Sequence, residues 1–268
     1  MLFCAAQTGQ MSDIFTEIFE NPPLDPTEAA QRSVRPNLRK RFFKRVHTGH
    51  VDAGGVAIFL DGKPVLTPAR RKFVAPAQAL AEAVAAEWEA QADVIDPAQM
   101  PLTRLCNAVI DAVVDAPAPV AEEVARYLRS DMLFYRAEAP AALARKQSQA
   151  WDPVLVWARE KFDAQFVLTE GLMFVSQQPE AIAAARAAIP SGPWQLAAIS
   201  SITTLTGSAL LALALAHSAI EPDAAWLAAH VDEDWQMSQW GRDELALERR
   251  GYRHGEFQAA VTVLRLAG

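Results

Sequence analysis

The stretch VAIFLDGKPVLT, Val56 to Thr67, decides the fold class. Val56–Leu60 is an apolar run rich in strand formers. Asp61-Gly62 is a strong short hairpin signal, and Pro64–Thr67 returns. Pro64 and Pro68 put the returning strand at a sheet edge, where a missing N–H is tolerated. Upstream, Phe42, Lys44 and Val46 alternate with Phe43 and Arg45, the period of a strand. Downstream of Pro76 the period changes to that of a helix. Leu80, Val84 and Trp88 recur four apart. Leu102, Leu105, Val109 and Val113 form a second stripe after Pro101. Val120, Val124, Tyr127 and Leu128 form a third after Pro117 and Pro119. The expected architecture is α+β: a small β-rich N-terminal domain over residues 39–75, then a larger mainly α-helical domain over residues 76–268.

The rest of the chain extends this pattern. Asp152 and Pro153 read as the cap and first residue of a helix through Trp157. Further helices are expected over Pro179–Ala188, Pro193–His217, Pro222–Trp240 and Asp243–Leu266. Gly207, Gly251 and Gly255 read as interruptions, with Gly207 allowing close helix packing. Phe166–Leu168 and Leu172–Val175 break the helical period and read as strands, so residues 165–176 are candidates to rejoin the N-terminal sheet. Residues 1–38, with the turn-rich stretch Asn21–Pro26, read as a poorly ordered tail. Within it, Ile14, Phe15, Ile18 and Phe19 are spaced for a short docked helix.

Charge is distributed unevenly along the 268 residues. Residues 1–38 carry two basic and five acidic groups, residues 39–72 nine and two, and the remainder fourteen and twenty-five. A small basic module is thus joined to a large acidic one, which argues against a dedicated nucleic-acid binder. Cys4 and Cys106 have no metal-ligand spacing and build no disulfide framework. MLFCAAQTGQ lacks a basic n-region, and the first 31 residues contain no Arg or Lys, so neither a signal peptide nor a mitochondrial presequence is expected. Met11 is an alternative start. No Asp, Glu, Lys or Arg occurs from Ala187 to Ile220, and Leu196–Ala216 has the length of a membrane span. Its six Ser and Thr residues and the lack of basic flanks favour a buried core helix.

The residue that raises the question of function is Glu233. On one helix from Pro222 to Trp240, Trp226, His230, Glu233, Met237 and Trp240 share a side, flanked by Ala229 and Gln236. Val231 and Trp235 lie opposite, so the helix is expected to pack on both faces. A carboxylate between two indoles needs either an internal partner or a bound one. The catalytic inventory is otherwise thin. No histidine has a Ser or Cys partner in a strand–turn–helix elbow, and Gly54-Gly55 precedes a strand, unlike a phosphate loop. His230-Val231-Asp232-Glu233-Asp234 lacks the spacing of a zinc helix, and Asp232 and Asp234 project to opposite flanks. No metal, cofactor or catalytic residue is expected. The basic run Arg39–Arg45 fits a packed strand that matches an acidic partner better than it fits nucleic acid.

Seven stretches in order resemble a known family. They are RKRFFKRV (Arg39–Val46), LDGKPVLTPARR (Leu60–Arg71), AEWEAQADVIDPAQMPLTRLCNAVID (Ala86–Asp111), SDMLFYRAE (Ser130–Glu138), QAWDPVLVWA (Gln149–Ala158), TTLTGSALLALALA (Thr203–Ala216) and AAHVDEDWQMSQWG (Ala228–Gly241). Together they are similar to the assembly chaperone of the ATP synthase F(1) sector, the type that handles the alpha subunit. The resemblance runs from about residue 39 to 245 and leaves out the first 38 residues. It implies a small β-rich domain, a larger helical domain, and an ATP-independent holdase that binds the free alpha subunit. The family's functional acidic residue falls on Glu233, within Asp232-Glu233-x-x-Gln236, with Trp240 one turn further on. It implies bacteria or, in eukaryotic relatives, the mitochondrial matrix, and the lack of a presequence favours the bacterial cytoplasm here. Two other readings stand beside it: a small-molecule hydrolase or metalloenzyme using Glu233, His230 and Asp232, and a structural adaptor with no release cycle.

Overall fold

The computed structural model describes residues 38–267 apart from Ala53 and Leu172. The tail expected at 1–38, with its candidate helix and Met11, lies outside the described residues but for Leu38. The sheet is built on the hairpin. Strand β1 (Val46–His50) pairs antiparallel with β2 (Val56–Leu60), Val46 opposite Leu60 and His50 opposite Val56. Asp61 (φ 48°) and Gly62 (φ 81°) turn the chain into β3 (Lys63–Pro64), the two positive angles that a two-residue hairpin requires. The Asp61 carboxylate also accepts from the backbone N–H of Lys44 (3.1 Å) and Arg45 (2.9 Å), which holds it below the usual carboxylate range. Strand β4 (Val74–Ala75) pairs with the other end of β2. The central strand β2 is therefore the buried one, and β3 is a short exposed edge, as Pro64 requires. In this sheet, pairing starts at Val46 rather than Phe42. Phe43 is buried against Trp88 outside any strand.

The change of period at Pro76 marks a change of element within one compact unit, Arg41–Gly268. Helix α1 (Gln78–Glu89) lays Leu80, Ala81 and Val84 on Ile58 and Phe73 of the sheet region. Helix α2 (Pro101–Ala108) continues into a π turn, Val109–Val113. Asp111 on that turn accepts from Thr67 Oγ1 (2.6 Å) and Ala69 N–H (3.0 Å), docking the second sheet loop. Glu87 caps the start of α2 through the N–H groups of Leu102 (2.8 Å) and Thr103 (2.7 Å); burial nevertheless pushes its pKa up. Helix α3 (Pro117–Tyr127) follows.

Several expected helix boundaries are corrected. Helix α4 runs unbroken from Ala141 to Phe162, so Pro153 lies inside it rather than at its start. Phe166–Leu168 and the described residues Met173–Val175 are not strands, and Leu172 lies outside the described residues. Only Thr169–Glu170 (β6) is extended, and it pairs in parallel with β5 (Tyr135–Arg136), not with the N-terminal sheet. Helix α5 (Pro179–Ala187) precedes the uncharged region. That region is two helices, α6 (Pro193–Thr206) and α7 (Ala209–Ala216). Gly207 ends α6 in the left-handed region (φ 73°), and Ser208 caps α7 by accepting from Leu211 N–H at 3.0 Å. Helix α7 is apolar all round because it is buried all round, with Leu210, Leu211 and Leu213 against Phe134, Trp151, Ile199 and Phe257. No described helix is long and apolar enough to cross a membrane.

The Pro222–Trp240 stretch is likewise two helices, α8 (Pro222–Ala229) and α9 (Val231–Trp240). The break at His230 has a local cause. Trp151 Nε1 donates to the Ala228 carbonyl (2.7 Å), and His230 Nδ1 to the Trp226 carbonyl (2.7 Å), so two acceptors of a continuous ladder are engaged by side chains. The His230 N–H closes instead on Leu227, three residues back. Helix α10 (Glu244–Leu266) is capped by Asp243 and passes through Gly251 and Gly255 without interruption.

Candidate functional site

Helix α9 is mounted on the surface: none of its residues is buried, with Val231 half-buried against the helical core. Its first turn holds three carboxylates, favourable at a helix N-terminus, and each meets a different neighbour. Asp232 accepts from Gln147 Nε2 (2.7 Å) on α4. Gln147 is itself buried and accepts the N–H of Ala137 (2.8 Å). Asp234 forms an ion pair with Arg250 on α10. Glu233 stands between them with its side chain 55% exposed, its Oε2 4.0 Å from His230 Nε2.

His230 is 2% exposed, and burial holds its pKa below the ordinary value, aided by the positive field of Arg250 and Arg253. Its Nδ1 carries the hydrogen that the Trp226 carbonyl accepts. At neutral pH, therefore, Nε2 presents a lone pair to Glu233 and no ion pair forms between them.

The expected setting of Glu233 between two indoles is not formed. Trp226 belongs to the core, 4.0 Å from the His230 ring and 5.1 Å from Phe257 by centroids. Trp240, beyond the helix break, is 81% exposed. Glu233, Gln236 and Trp240 instead line one wall of a cleft of about 490 Å³ whose other wall is α10. Asp232 turns away from this cleft toward α4. Arg249, Arg250 and Arg253 line the α10 wall and were not singled out from the sequence. Their signal was the triplet spacing in ERRGYR (Glu248–Arg253), which brings them to one side of a helix.

A second, more apolar cleft of about 560 Å³ opens on the other side of α9, floored by Val154, Trp157, Leu227 and Val231, with Lys146 and Asp234 among its lining. Gln149 and Pro153 also line it, and Pro153 has no N–H to offer the Gln149 carbonyl. Among the described residues no group of three or more His, Cys, Asp or Glu side chains converges as a metal set. The Cys106 thiol is buried and its pKa is pushed far up by desolvation, away from thiolate chemistry.

Comparison with known proteins agrees with this architecture. The family model for the ATP12 chaperone protein matches residues 40–159. The crystal structure of the Agrobacterium tumefaciens protein Atu1473 is 44% identical, covers 96% of each chain and superposes with a TM-score of 0.84. That of Atp12 from Paracoccus denitrificans is 36% identical, covers 86% of this chain and 99% of its own, and gives a TM-score of 0.79. With a sheet-and-helix fold shared along nearly the whole of both relatives, the chain belongs to the ATP12 chaperone family.

Proposed function

We propose that this protein is an ATP-independent assembly chaperone that holds the free alpha subunit of the ATP synthase F(1) sector until its partner subunit displaces it. It acts without turnover, metal or nucleotide, and in the bacterial cytoplasm. Family membership supports the assembly role. The observation that carries the reading to a place on the molecule is the α9–α10 corner. There Trp240 exposes 81% of its surface in the cleft that Glu233 and Gln236 line, and Leu245 and Tyr252 on α10 expose 67 and 47% of theirs. An orphan subunit exposes an apolar interface that aggregates unless covered. A corner with exposed aromatic and aliphatic side chains among charges suits that task.

Glu233, Gln236 and Trp240 are the proposed client contacts, and Asp232 positions α9 through Gln147. The hydrolase reading has less support. His230 faces Glu233 but is buried away from any substrate with Nδ1 engaged, and Asp232 is held by α4. The test is Glu233→Gln. The melting temperature is expected to stay within about 2 °C, since an exposed residue makes little difference to stability. Capture of purified alpha subunit is expected to weaken about fivefold, as a charge-assisted contact becomes neutral. A fall in melting temperature with intact capture, or no change in either, would contradict the assignment.

A further inference from the structure

The two walls of the α9–α10 cleft differ in charge. The α9 wall carries Glu233, whereas the α10 wall carries three arginines and, at the start of the helix, Asp243, whose carboxylate is engaged by the N–H groups of Leu245 and Ala246. Arg250 is neutralised by Asp234. The other two are not paired. Arg249 Nε donates to the Leu245 carbonyl of its own helix (3.2 Å), and Arg253 Nη2 to the Leu205 carbonyl (2.6 Å). Among the described residues neither has a carboxylate within ion-pair distance. Two uncompensated guanidiniums thus share a concave surface, in a part of the chain where acidic residues outnumber basic ones twenty-five to fourteen. Met237 and Trp240 close the same cleft with apolar surface.

Resting on the chaperone reading, we propose that this cleft takes a segment of the client protein in which an acidic side chain neighbours an apolar one. A carboxylate sits at Arg249 and Arg253, and the apolar side chain lies on Met237 and Trp240. A guanidinium presents paired N–H donors that match the two oxygens of a carboxylate, and an exposed indole supplies apolar contact at little entropic cost. Glu233, on the opposite wall, repels a second carboxylate and favours a cation or a neutral donor there. The cleft is therefore bipolar and fixes the direction in which the segment lies. The acidic bulk of the chain disfavours a polyanion such as RNA in the same place.

The experiment is capture of purified alpha subunit by the full chain as wild type, Arg249→Glu, Arg249→Lys and Arg249→Gln, across a salt series. Arg249 bonds only within its own helix, and melting curves check that each variant is folded. Arg249→Glu is expected to weaken capture about tenfold or more at low salt, Arg249→Gln less, and Arg249→Lys least. The salt dependence of capture is expected to be shallower in Arg249→Gln than in wild type. If wild type captures the subunit and the charge reversal neither weakens capture nor changes its salt dependence, the cleft proposal falls and the chaperone reading stands. If wild type captures nothing, the reading falls and takes the proposal with it. RNA competing with the subunit at equal concentration would also overturn the choice of a protein segment.

Discussion

Asp131 is a carboxylate set in the helical core with no cation paired to it among the described residues. It accepts from the N–H of Leu133 (3.1 Å) and Leu210 (3.0 Å), tying the chain before β5 to the start of α7. Burial raises its pKa to about 6, against 3.8 for an ordinary aspartate. Between those values the folded chain binds more protons than the unfolded one, so the stability traceable to this group increases as pH falls from about 6 to 3.8. Asp131→Asn offers one acceptor where two are used, and is expected to cost about 1–3 kcal/mol. Denaturant titration should show the gap between wild type and variant widening across that acidic window. A constant gap would mean that Asp131 titrates normally. Glu233 and Trp240 were legible as one helical stripe with Gln236 on its flank, and the cleft does contain them. The opposing arginines were not, because the pairing of α9 with α10 is a tertiary fact with no period of its own. Nor was the separation of Trp226 from Trp240, since it depends on two carbonyls engaged by distant or local side chains.

At the scale of elements, prolines were the most reliable guide. Pro101, Pro117, Pro179, Pro193 and Pro222 all stand in the first turn of a helix, where no N–H is missed. Pro153 obeyed the same local rule and misled, because the helix around it is held by Gln147, Trp151 and Val154 in the core. Glycine was ambiguous for a similar reason. Apolar content continues across Gly207, so hydrophobic pattern alone joins α6 to α7, whereas the polar face of α10 made Gly251 and Gly255 look like stops. Backbone angle separates the cases. Gly207 has φ 73°, and an added Cβ would meet Met132 Sδ at a comfortable 3.5 Å, so strain alone opposes substitution. Gly207→Ala should therefore lower stability by about 1–2 kcal/mol. Gly251 sits in helical backbone with open space around it. Gly251→Ala should raise stability by about 0.5–1 kcal/mol. Equal melting temperatures for the two variants would contradict these helix assignments.

At the largest scale, the compact unit Arg41–Gly268 presents an exposed two-helix corner while its sheet and core helices hold that corner's base. Helix α10 shows the division along its length. Phe257, Ala260 and Val261 lie in the helical core and Val263 beside the sheet cluster, whereas Leu245 and Tyr252 near its start face solvent. A buried half anchoring an exposed half suits a chaperone that must bind a client surface and then yield it. The most direct measurement is light scattering of purified alpha subunit diluted into assembly buffer without nucleotide, with this protein present at one-to-one stoichiometry, followed by addition of beta subunit. The account predicts that scattering stays at baseline, and that beta subunit releases the chaperone into a separate fraction as alpha and beta assemble. Undiminished aggregation, or a chaperone that remains bound in the assembled complex, would contradict it.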